Sequence, residues 1–347
     1  MKEIALDKKE LIYSGRIDRR NPRKPEFIFP ASSVCFRFLA SKAALTIENR
    51  NVYWDNYVGA IVDGKQKKWL LNKEGQTQIA LVDEKETGEH EILVFKRQDG
   101  CHEMVLCSLK LSEGSRLLSP PSVPKRKIEV YGDSVSAGEV SEAERYLGKE
   151  DPPHNGEYSN SWYSFGWMTA RKLNAQIHDI AQGGIALMDK TGWFLEPNAT
   201  GMESVWDKVH YVPELGKSTL WDFSQYTPDV VIVAVGQNDS HPYDYMKEDF
   251  YGEKAALWRE RYRNFLDNLR KKYPQAKIIC CTTLLCHDKA WDASIEQVCR
   301  QLADERISHY MFQRNGGGTP GHLRVKEAEE MANELTVYIK KIMPEEW

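Results

Sequence analysis

Two polar residues that follow apolar runs have side chains suited to acyl-transfer chemistry. Ser134 lies in the Gly-Asp-Ser tripeptide 132–134, and its weakly nucleophilic hydroxyl needs a general base. Asn238 lies in the Gly-Gln-Asn-Asp segment 236–239, where its amide could donate a hydrogen bond to a developing oxyanion. Each has a structural alternative: a helix N-cap at Ser134 and an Asx turn at Asn238. Taken alone, neither residue identifies a site.

Gly184 and His322 complete a plausible set. Gly184 follows the apolar segment QIHDIAQ, and a glycine lets its backbone N–H approach a ligand, although taken alone a plain turn is the more common explanation. His322 precedes the last predicted helix, and an imidazole suits a serine as base because its pKa lies near neutrality. Eight other histidines compete, including His241 and His287 in candidate loops. The position after the last strand favours His322.

Other chemical motifs are weak in this sequence. The glycine-rich segment 316–321 matches G-x-G-x-x-G, but a dinucleotide site needs a βαβ unit and the chain ends after a single helix. The sequence has no HExxH motif, no Walker loop and no clustered metal ligands. We therefore expect neither a cofactor nor a metal ion.

The elements that must position these residues alternate along the second half of the chain. Apolar strand-like runs such as KIEVYG, DVVIVAV and AKIICC are separated by segments with helical spacing of apolar residues. This alternation predicts a three-layer α/β/α domain with a parallel sheet. Ligands bind at the carboxyl ends of such strands, where Ser134, Gly184 and Asn238 are expected. The polar segments 138–158 and 188–222 are long for simple connections, which is often a sign of function.

The first half of the chain has the apolar and polar alternation of strands rather than alternating strands and helices. Segments such as SVCFRFLA and HEILVFKR alternate apolar and polar residues, and VDGK and RQDG supply turns between them. This pattern predicts a β-sandwich of jelly-roll type. Three prolines in LLSPPSVPKRK indicate a linker. We thus predict a β-sandwich domain over 1–118, a linker over 119–127 and a catalytic domain over 128–347.

The charge and the apolar segments of the chain bear on whether it binds nucleic acid or a membrane. With 47 basic and 51 acidic residues the net charge is −4, so no basic field attracts nucleic acid. No segment is long and apolar enough to span a bilayer, and charges interrupt the N-terminal apolar runs. We expect no membrane partner and a cytoplasmic location, with a secreted mature form left open. The seven cysteines are scattered and are expected to be free thiols. The oligomeric state is not indicated.

The order of the four candidate residues carries more information than any one of them. A serine in GDS, a glycine after the next strand, an asparagine in GxND and a late histidine resemble the SGNH (GDSL-like) hydrolases over residues 128–343. The resemblance implies that Ser134 is the nucleophile and His322 the base. It also implies an oxyanion hole formed by the N–H groups of Ser134 and Gly184 and the side chain of Asn238.

The whole chain looks like a narrower group. A β-sandwich before a GDS domain, with YSGRID near the start and GHLRVKEAEEMANEL near the end, resembles carbohydrate esterase family 2. Thr319 stands three residues before His322, where most SGNH enzymes carry an aspartate. Some family 2 esterases also lack that acid, so the resemblance implies a Ser–His dyad whose ring is held by a backbone carbonyl. Asp133 is not expected to be the third member.

The resemblance implies deacetylation of plant-type polysaccharides or oligosaccharides, such as acetylated mannan, glucomannan or xylan. Aromatic rings suit the apolar faces of sugars. We therefore expect Trp291 in the segment CHDKAWD and Trp193 to contact substrate, together with Asp133 beside the nucleophile. Two alternatives remain open: an esterase or lipase acting on a non-carbohydrate ester, and a carbohydrate-binding protein without activity.

Overall fold

A computed structural model describes residues 1–345 and 347, and its first half is built from antiparallel strands. Within the described residues this sheet has ten strands. They are β1 (Lys2–Ile4), β2 (Ile12–Ser14), β3 (Ile17–Asp18), β4 (Glu26–Phe27), β5 (Ser33–Asn51), β6 (Tyr57–Val62), β7 (Lys65–Leu70), β8 (Gln76–Lys96), β9 (His102–Leu111) and β10 (Arg116–Leu117).

Two long strands connect this sheet into a single hydrogen-bonded unit. The order is β3-β4-β9-β5-β8-β6-β7, and β5 pairs with β8 from Ser33↔Phe95 to Glu48↔Gln76. The register shifts near Lys42, which is the position of a bulge that bends and twists the pair. Buried and half-buried residues alternate along β5, because successive side chains of a strand point to opposite faces. One face therefore forms the apolar core of this domain.

The second half contains a parallel sheet. Its strands are β11 (Arg126–Gly132), β12 (Ala175–Ala181), β13 (Val230–Ala234), β14 (Lys277–Cys280) and β15 (Ile307–His309), in the order β12-β11-β13-β14-β15. The helices are α1 (Ser134–Ala137), α2 (Phe165–Lys172), α3 (Met202–Val205), α4 (Tyr245–Glu248), α5 (Glu253–Lys272), α6 (Ala290–Leu302) and α7 (Val325–Ile342). The sequence did not predict the short strand β15.

Apolar residues of the parallel sheet alternate between two cores. Val231 and Val233 of β13 pack in one cluster with residues of α5 and α6, while Ile232 packs in another with residues of α2 and α7. The sheet is thus covered on both faces, as parallel strands require. The predicted fold class, an antiparallel β domain followed by a parallel α/β domain, is confirmed. The proposed boundaries at 118 and 128 stay a prediction, although no helix or strand occupies residues 118–125.

The side chain of Arg16 connects the β domain to the α/β domain. It is fully buried and donates to the carbonyl oxygens of Trp206 (2.6 Å) and Lys208 (3.0 Å) and to the hydroxyl of Tyr131 (3.0 Å). The carboxylate of Glu129 lies 3.6 Å from the guanidinium. A buried charge is tolerated only when it is paired and hydrogen-bonded, and both conditions hold here. This contact fixes the orientation of the two domains.

Membrane insertion by a helix has no support in the described part of the chain. None of its helices combines the length and apolarity needed to cross a bilayer.

Candidate active site

Ser134 lies at the carboxyl end of the central strand β11. Asp133 is the N-cap, accepting a hydrogen bond from the Val135 N–H at 3.0 Å, and Ser134 is the first residue of α1. Gly132 is required at this turn, because a Cβ there would lie 1.9 Å from Oγ of Ser136. The capping role that competed with catalysis therefore belongs to Asp133. Ser134 itself is mostly buried, and its hydroxyl has no hydrogen-bond partner among the described residues.

Two backbone N–H groups are available as oxyanion donors. Across the described residues, neither the N–H of Ser134 nor that of Gly184 has a hydrogen-bond acceptor. An N–H in the first turn of a helix has no intrahelical partner, which explains Ser134. Gly184 has φ +70°, and a Cβ there would lie 2.8 Å from Cβ of Trp193, so glycine is needed at this position. Both groups match their predicted roles, which stay predictions.

Asn238 is held by the residues around the nucleophile. Its Nδ2 donates to the carbonyl oxygen of Ile185 at 3.0 Å and lies 3.2 Å from Oδ2 of Asp133. Gln237, which sequence reasoning did not single out, donates to the same oxygen of Asp133 at 2.7 Å. The amide of Asn238 can therefore donate a hydrogen bond to an oxyanion once it gives up its longer contact with Asp133.

Asp133 does not contact the cleft, so its assignment as a substrate-binding residue is wrong. The side chain is fully buried and its oxygens accept hydrogen bonds from Val135, Gln237 and Asn238. Burial raises the pKa of Asp133 to about 6, against the lowering effect of these hydrogen bonds. Its role is to hold the turn that presents Ser134.

His322 is oriented by a carboxylate that the sequence did not reveal. Oδ2 of Asp151 lies 2.6 Å from Nδ1 of the ring, and its Oδ1 accepts the backbone N–H of His322 at 3.0 Å. Arg324 in turn donates to Oδ1 of Asp151 at 2.9 Å. Burial would lower the pKa of His322, but its hydrogen bond to Asp151 and nearby carboxylates leave it raised. The structure thus places the carboxylate of Asp151 at Nδ1 where a backbone carbonyl was expected, so the arrangement differs from the expected dyad.

Thr319 takes a different role from the missing aspartate. Its hydroxyl donates to Oε2 of Glu327 at 2.6 Å, and its N–H donates to Oε1 at 2.8 Å, so it is bonded to the first turn of α7 rather than to the ring. Asp151 lies in the long polar segment 138–158, 171 residues before His322. The unusual length of that segment was the signal that pointed to it, but no local pattern links the two residues.

A second carboxyl group, Glu139, faces the other ring nitrogen. Its Oε2 lies 3.4 Å from Nε2 of His322, and its backbone N–H donates to the carbonyl oxygen of Ser134 at 2.9 Å. Burial, and next the charge of Asp99, raise the pKa of Glu139 to about 8. This residue was also missed, because nothing in the sequence GEVSE marks it.

The β domain reaches the same site through the turn between β8 and β9. Oδ2 of Asp99 accepts the N–H of Gly183 at 2.8 Å, the amide of Gln182 at 2.7 Å and the hydroxyl of Tyr53 at 2.9 Å. These bonds hold the loop that carries Gly184. The RQDG segment therefore positions the loop that carries Gly184 as well as forming a turn.

A cleft of about 870 Å³ lies between the two domains, beside Glu139 and Gly184. The cleft is lined by Tyr53 and Trp54 of the β domain and by Glu139, Gly184 and Trp193 of the α/β domain. Trp193 is 57% exposed, and its ring stacks on His241 with centroids 3.3 Å apart. Its position agrees with the predicted substrate contact, which stays a prediction.

Trp291 does not belong to the cleft, so its assignment as a substrate contact is wrong. It lies in the first turn of α6, is fully buried and packs edge-on against Trp258 and Tyr245. Its indole N–H donates to Asp244 at 3.1 Å. The segment interpreted as a polar loop is the start of a helix whose apolar face packs on α5.

Comparisons with known proteins agree with this geometry. Residues 128–335 match the family model of GDSL-like lipases and acylhydrolases, and residues 13–121 match the carbohydrate esterase 2 N-terminal model. The first match covers more than half of the chain. The protein therefore belongs to the GDSL-like lipase/acylhydrolase family, a family of ester hydrolases.

Within this class the chain is similar to family 2 carbohydrate esterases, which confirms the predicted resemblance. It is 28% identical over 348 residues to cellulase/esterase CelE of Acetivibrio thermocellus, covering 96% of this chain and 40% of CelE. It is 25% identical over 344 residues to an acetylxylan esterase/glucomannan deacetylase of Cellvibrio japonicus, covering 98% of this chain and 91% of the relative. A solved family two carbohydrate esterase from Clostridium thermocellum, in complex with cellohexaose, superposes with TM-score 0.80 at 26% identity, covering 96% of this chain and 99% of that one.

Proposed function

We propose that this protein is a serine esterase that removes O-acetyl groups from plant-type polysaccharides or oligosaccharides. The observation that carries the proposal is a set of contacts around Glu139: its N–H donates to the carbonyl oxygen of Ser134, and its carboxyl lies beside Nε2 of His322, whose Nδ1 is held by Asp151. The proposal is also supported by the similarity to an acetylxylan esterase/glucomannan deacetylase and to a family two carbohydrate esterase.

The first half-reaction forms an acetyl-enzyme. Nε2 of His322 takes the proton of Ser134 as Oγ attacks the acetyl carbonyl carbon. The resulting oxyanion accepts hydrogen bonds from the N–H groups of Ser134 and Gly184 and from Asn238. Asp151 holds the ring with Nε2 directed into the site and stabilises the imidazolium. The sugar hydroxyl then leaves with the proton from Nε2.

The second half-reaction returns the enzyme to its starting state. His322 takes a proton from water, whose oxygen attacks the acetyl carbonyl carbon, and the same three donors hold the second oxyanion. Collapse of this intermediate breaks the bond to Oγ of Ser134, which recovers its proton from Nε2. Acetate is released.

The cleft walls favour a carbohydrate over an acyl chain of a lipid. Trp54 and Trp193 offer ring faces, and Glu196, Asn198 and Glu214 offer polar atoms along the same cleft. Sugars combine apolar faces with hydroxyl groups, and a site that pairs aromatic rings with polar side chains matches both. Acetylated glucomannan and acetylated xylan are therefore the substrates to be tried first.

The decisive experiment follows each acetyl signal by NMR while the protein acts on acetylated manno-oligosaccharides and xylo-oligosaccharides. We expect loss of acetyl signals from one or both, with release of acetate, and none with Ser134→Ala. Activity on 4-nitrophenyl acetate that depends on Ser134, without activity on either sugar, would favour a non-carbohydrate ester. Binding to the sugars with no Ser134-dependent hydrolysis would leave only a carbohydrate-binding role.

A further inference from the structure

A pair of carboxyl groups from different domains meets the catalytic ring on the side opposite Asp151. Glu139 is 6% exposed, and its Oε2 lies 3.4 Å from Nε2 of His322. The carboxyl of Asp99 lies against the same side chain: a Cβ at Gly183 would meet Oε1 of Glu139 at 2.3 Å and Oδ2 of Asp99 at 2.7 Å. Nε2 is the atom that must accept the proton of Ser134. Glu139 therefore lies next to the ring nitrogen that would act as the base.

The hydrogen bonds around Asp99 indicate where a proton lies. Oδ2 of Asp99 accepts three hydrogen bonds, from Gly183, Gln182 and Tyr53. Its Oδ1 is buried and has no donor among the described residues, and Glu139 lies close to Oδ2 beside Gly183. Two buried carboxylates this close repel each other, so one of them keeps its proton. The proton is assigned to Glu139, whose pKa is raised by burial and the neighbouring carboxyl and which receives none of the three donors.

Other charged or titratable groups face this pair from each neighbouring element. Asp133 lies behind the Ser134 turn and adds negative charge. The β domain contributes a hydroxyl next to Asp99, an imidazole 3.6 Å from its Oδ1, and a buried ammonium bonded to its backbone carbonyl: Tyr53, His102 and Lys96. Behind the ring lie the carboxylate of Asp151 and the guanidinium of Arg324.

The charge of Glu139 decides whether His322 can act as a base. With carboxylates at both nitrogens, the ring would retain both protons and have no lone pair for Ser134. A neutral Glu139 can donate a hydrogen bond to Asp99. It then carries no negative charge that would hold a proton on Nε2 of His322. We propose that Glu139 is a positioning residue for His322 that works in its neutral form, and that Asp99 of the β domain keeps it neutral. This inference rests on the proposed esterase chemistry at Ser134.

The proposal gives the β domain a part in the reaction. Asp99 both fixes the loop that carries Gly184 and sets the charge of the group beside the base. Replacing Glu139 by its neutral isostere should then leave the protonation of His322 unchanged, whereas removing the charge of Asp99 should favour its protonated form. A merely structural role for Asp99 would lower activity without such a shift.

The test compares pH profiles of kcat/KM on 4-nitrophenyl acetate for three variants. In Glu139→Gln, a neutral amide replaces a neutral carboxyl, so the acid limb should stay where it is in the unaltered protein. In Asp99→Asn, Glu139 ionises more readily, so the acid limb should move to higher pH by roughly half a unit. Glu144→Gln, an exposed site in the same segment, is the control and should leave the profile unchanged.

Several outcomes would overturn the proposal. They are an acid limb that moves to lower pH in Glu139→Gln, an acid limb that does not move in Asp99→Asn, or a uniform loss of kcat at every pH in Asp99→Asn. Circular dichroism and thermal melts establish that each variant is folded before its profile is compared.

A second measurement needs neither a variant of Glu139 nor esterase activity. Carboxyl ¹³C NMR of the full chain with Ser134→Ala should show one glutamate titrating at about pH 8. If all glutamates titrate below pH 6, the proposal fails. If the glutamate titrates as expected while the protein hydrolyses no ester, the proposed function fails but the charge assignment stands.

Discussion

At the scale of single residues, the oxyanion hole is the part of the site most open to a quantitative test. Asn238→Ala removes one donor while the N–H groups of Ser134 and Gly184 remain. We expect kcat to fall roughly 10²–10³-fold with little change in KM, because the lost hydrogen bond forms mainly in the transition state. Steady-state kinetics on an acetylated oligosaccharide check this, and an unchanged kcat would contradict the role of Asn238.

Asp151 is the second residue whose removal is diagnostic. Asp151→Asn keeps the shape of the side chain but removes the charge 2.6 Å from Nδ1 of His322. We expect kcat to fall by roughly 10²–10⁴-fold, since the ring loses its preferred tautomer and the stabilisation of the imidazolium. Glu150→Gln, at the exposed neighbouring position, is the matched control. Equal activity in both variants would restore the dyad interpretation.

The pH dependence follows from the same hydrogen bond. The pKa of His322 is raised from 6.5 by Asp151 and neighbouring carboxylates, and the base works only when neutral. Activity should therefore be lost as pH falls through a pKa above 6.5. Asp151→Asn should move this limb to lower pH. The measurement is kcat/KM against pH, and a limb that does not move would argue against a charged Asp151.

At the scale of elements, the insertion between α1 and α2 brings an acid to the histidine loop. Arg324 joins them: it is fully buried, caps α7 and donates to Asp151, to the carbonyl oxygen of His322 (2.8 Å) and to that of Val140 (3.4 Å). The insertion is also tied to the β domain, where Arg97 donates to Glu142 at 2.7 Å. The segment is therefore a fixed part of the site and not a loose connection.

Arg324→Met tests whether this junction aligns the acid. We expect a loss of about 1.5–3 kcal/mol in the free energy of unfolding, typical of a lost hydrogen bond to a charged group, and a fall in kcat. Denaturant unfolding and steady-state kinetics measure the two effects. Arg300→Met on α6 removes an exposed ion pair and should change stability by less than about 0.5 kcal/mol. A stability loss without any change in kcat would mean that Arg324 is not needed to align Asp151.

At the scale of the whole molecule, the two domains behave as one catalytic unit. Arg16 anchors the β domain inside the α/β domain, and Asp99 connects it to the loop that carries Gly184. In Arg16→Met the buried carboxylate of Glu129 loses its countercharge, so we expect about 3–5 kcal/mol less stability.

Thermal and denaturant unfolding measure the effect of this change. Arg23→Met, which removes an exposed pair with Asp7, is the control and should be near neutral. Equal stability of the two variants would mean that Arg16 does not hold the domains together.

The sequence by itself determined the fold class and the chain order of the four residues proposed to carry the chemistry: Ser134, Gly184, Asn238 and His322. These features are local: strand and helix periods are written in neighbouring residues, and Ser134, Gly184 and Asn238 each follow a strand of the parallel sheet. Even the family resemblance rested on such short segments. Side-chain burial was harder to predict, because the helix that contains Trp291 begins where the segment looked like a polar loop.

Only the tertiary structure decided which groups surround the catalytic histidine. Asp151 lies 171 residues from His322 in the chain, and Asp99 belongs to the other domain. No spacing rule joins residues so far apart, because their contact depends on how an insertion and a turn pack against the sheet. A carboxyl group acquires its role from burial and from the charges it meets, and these are properties of the folded molecule alone.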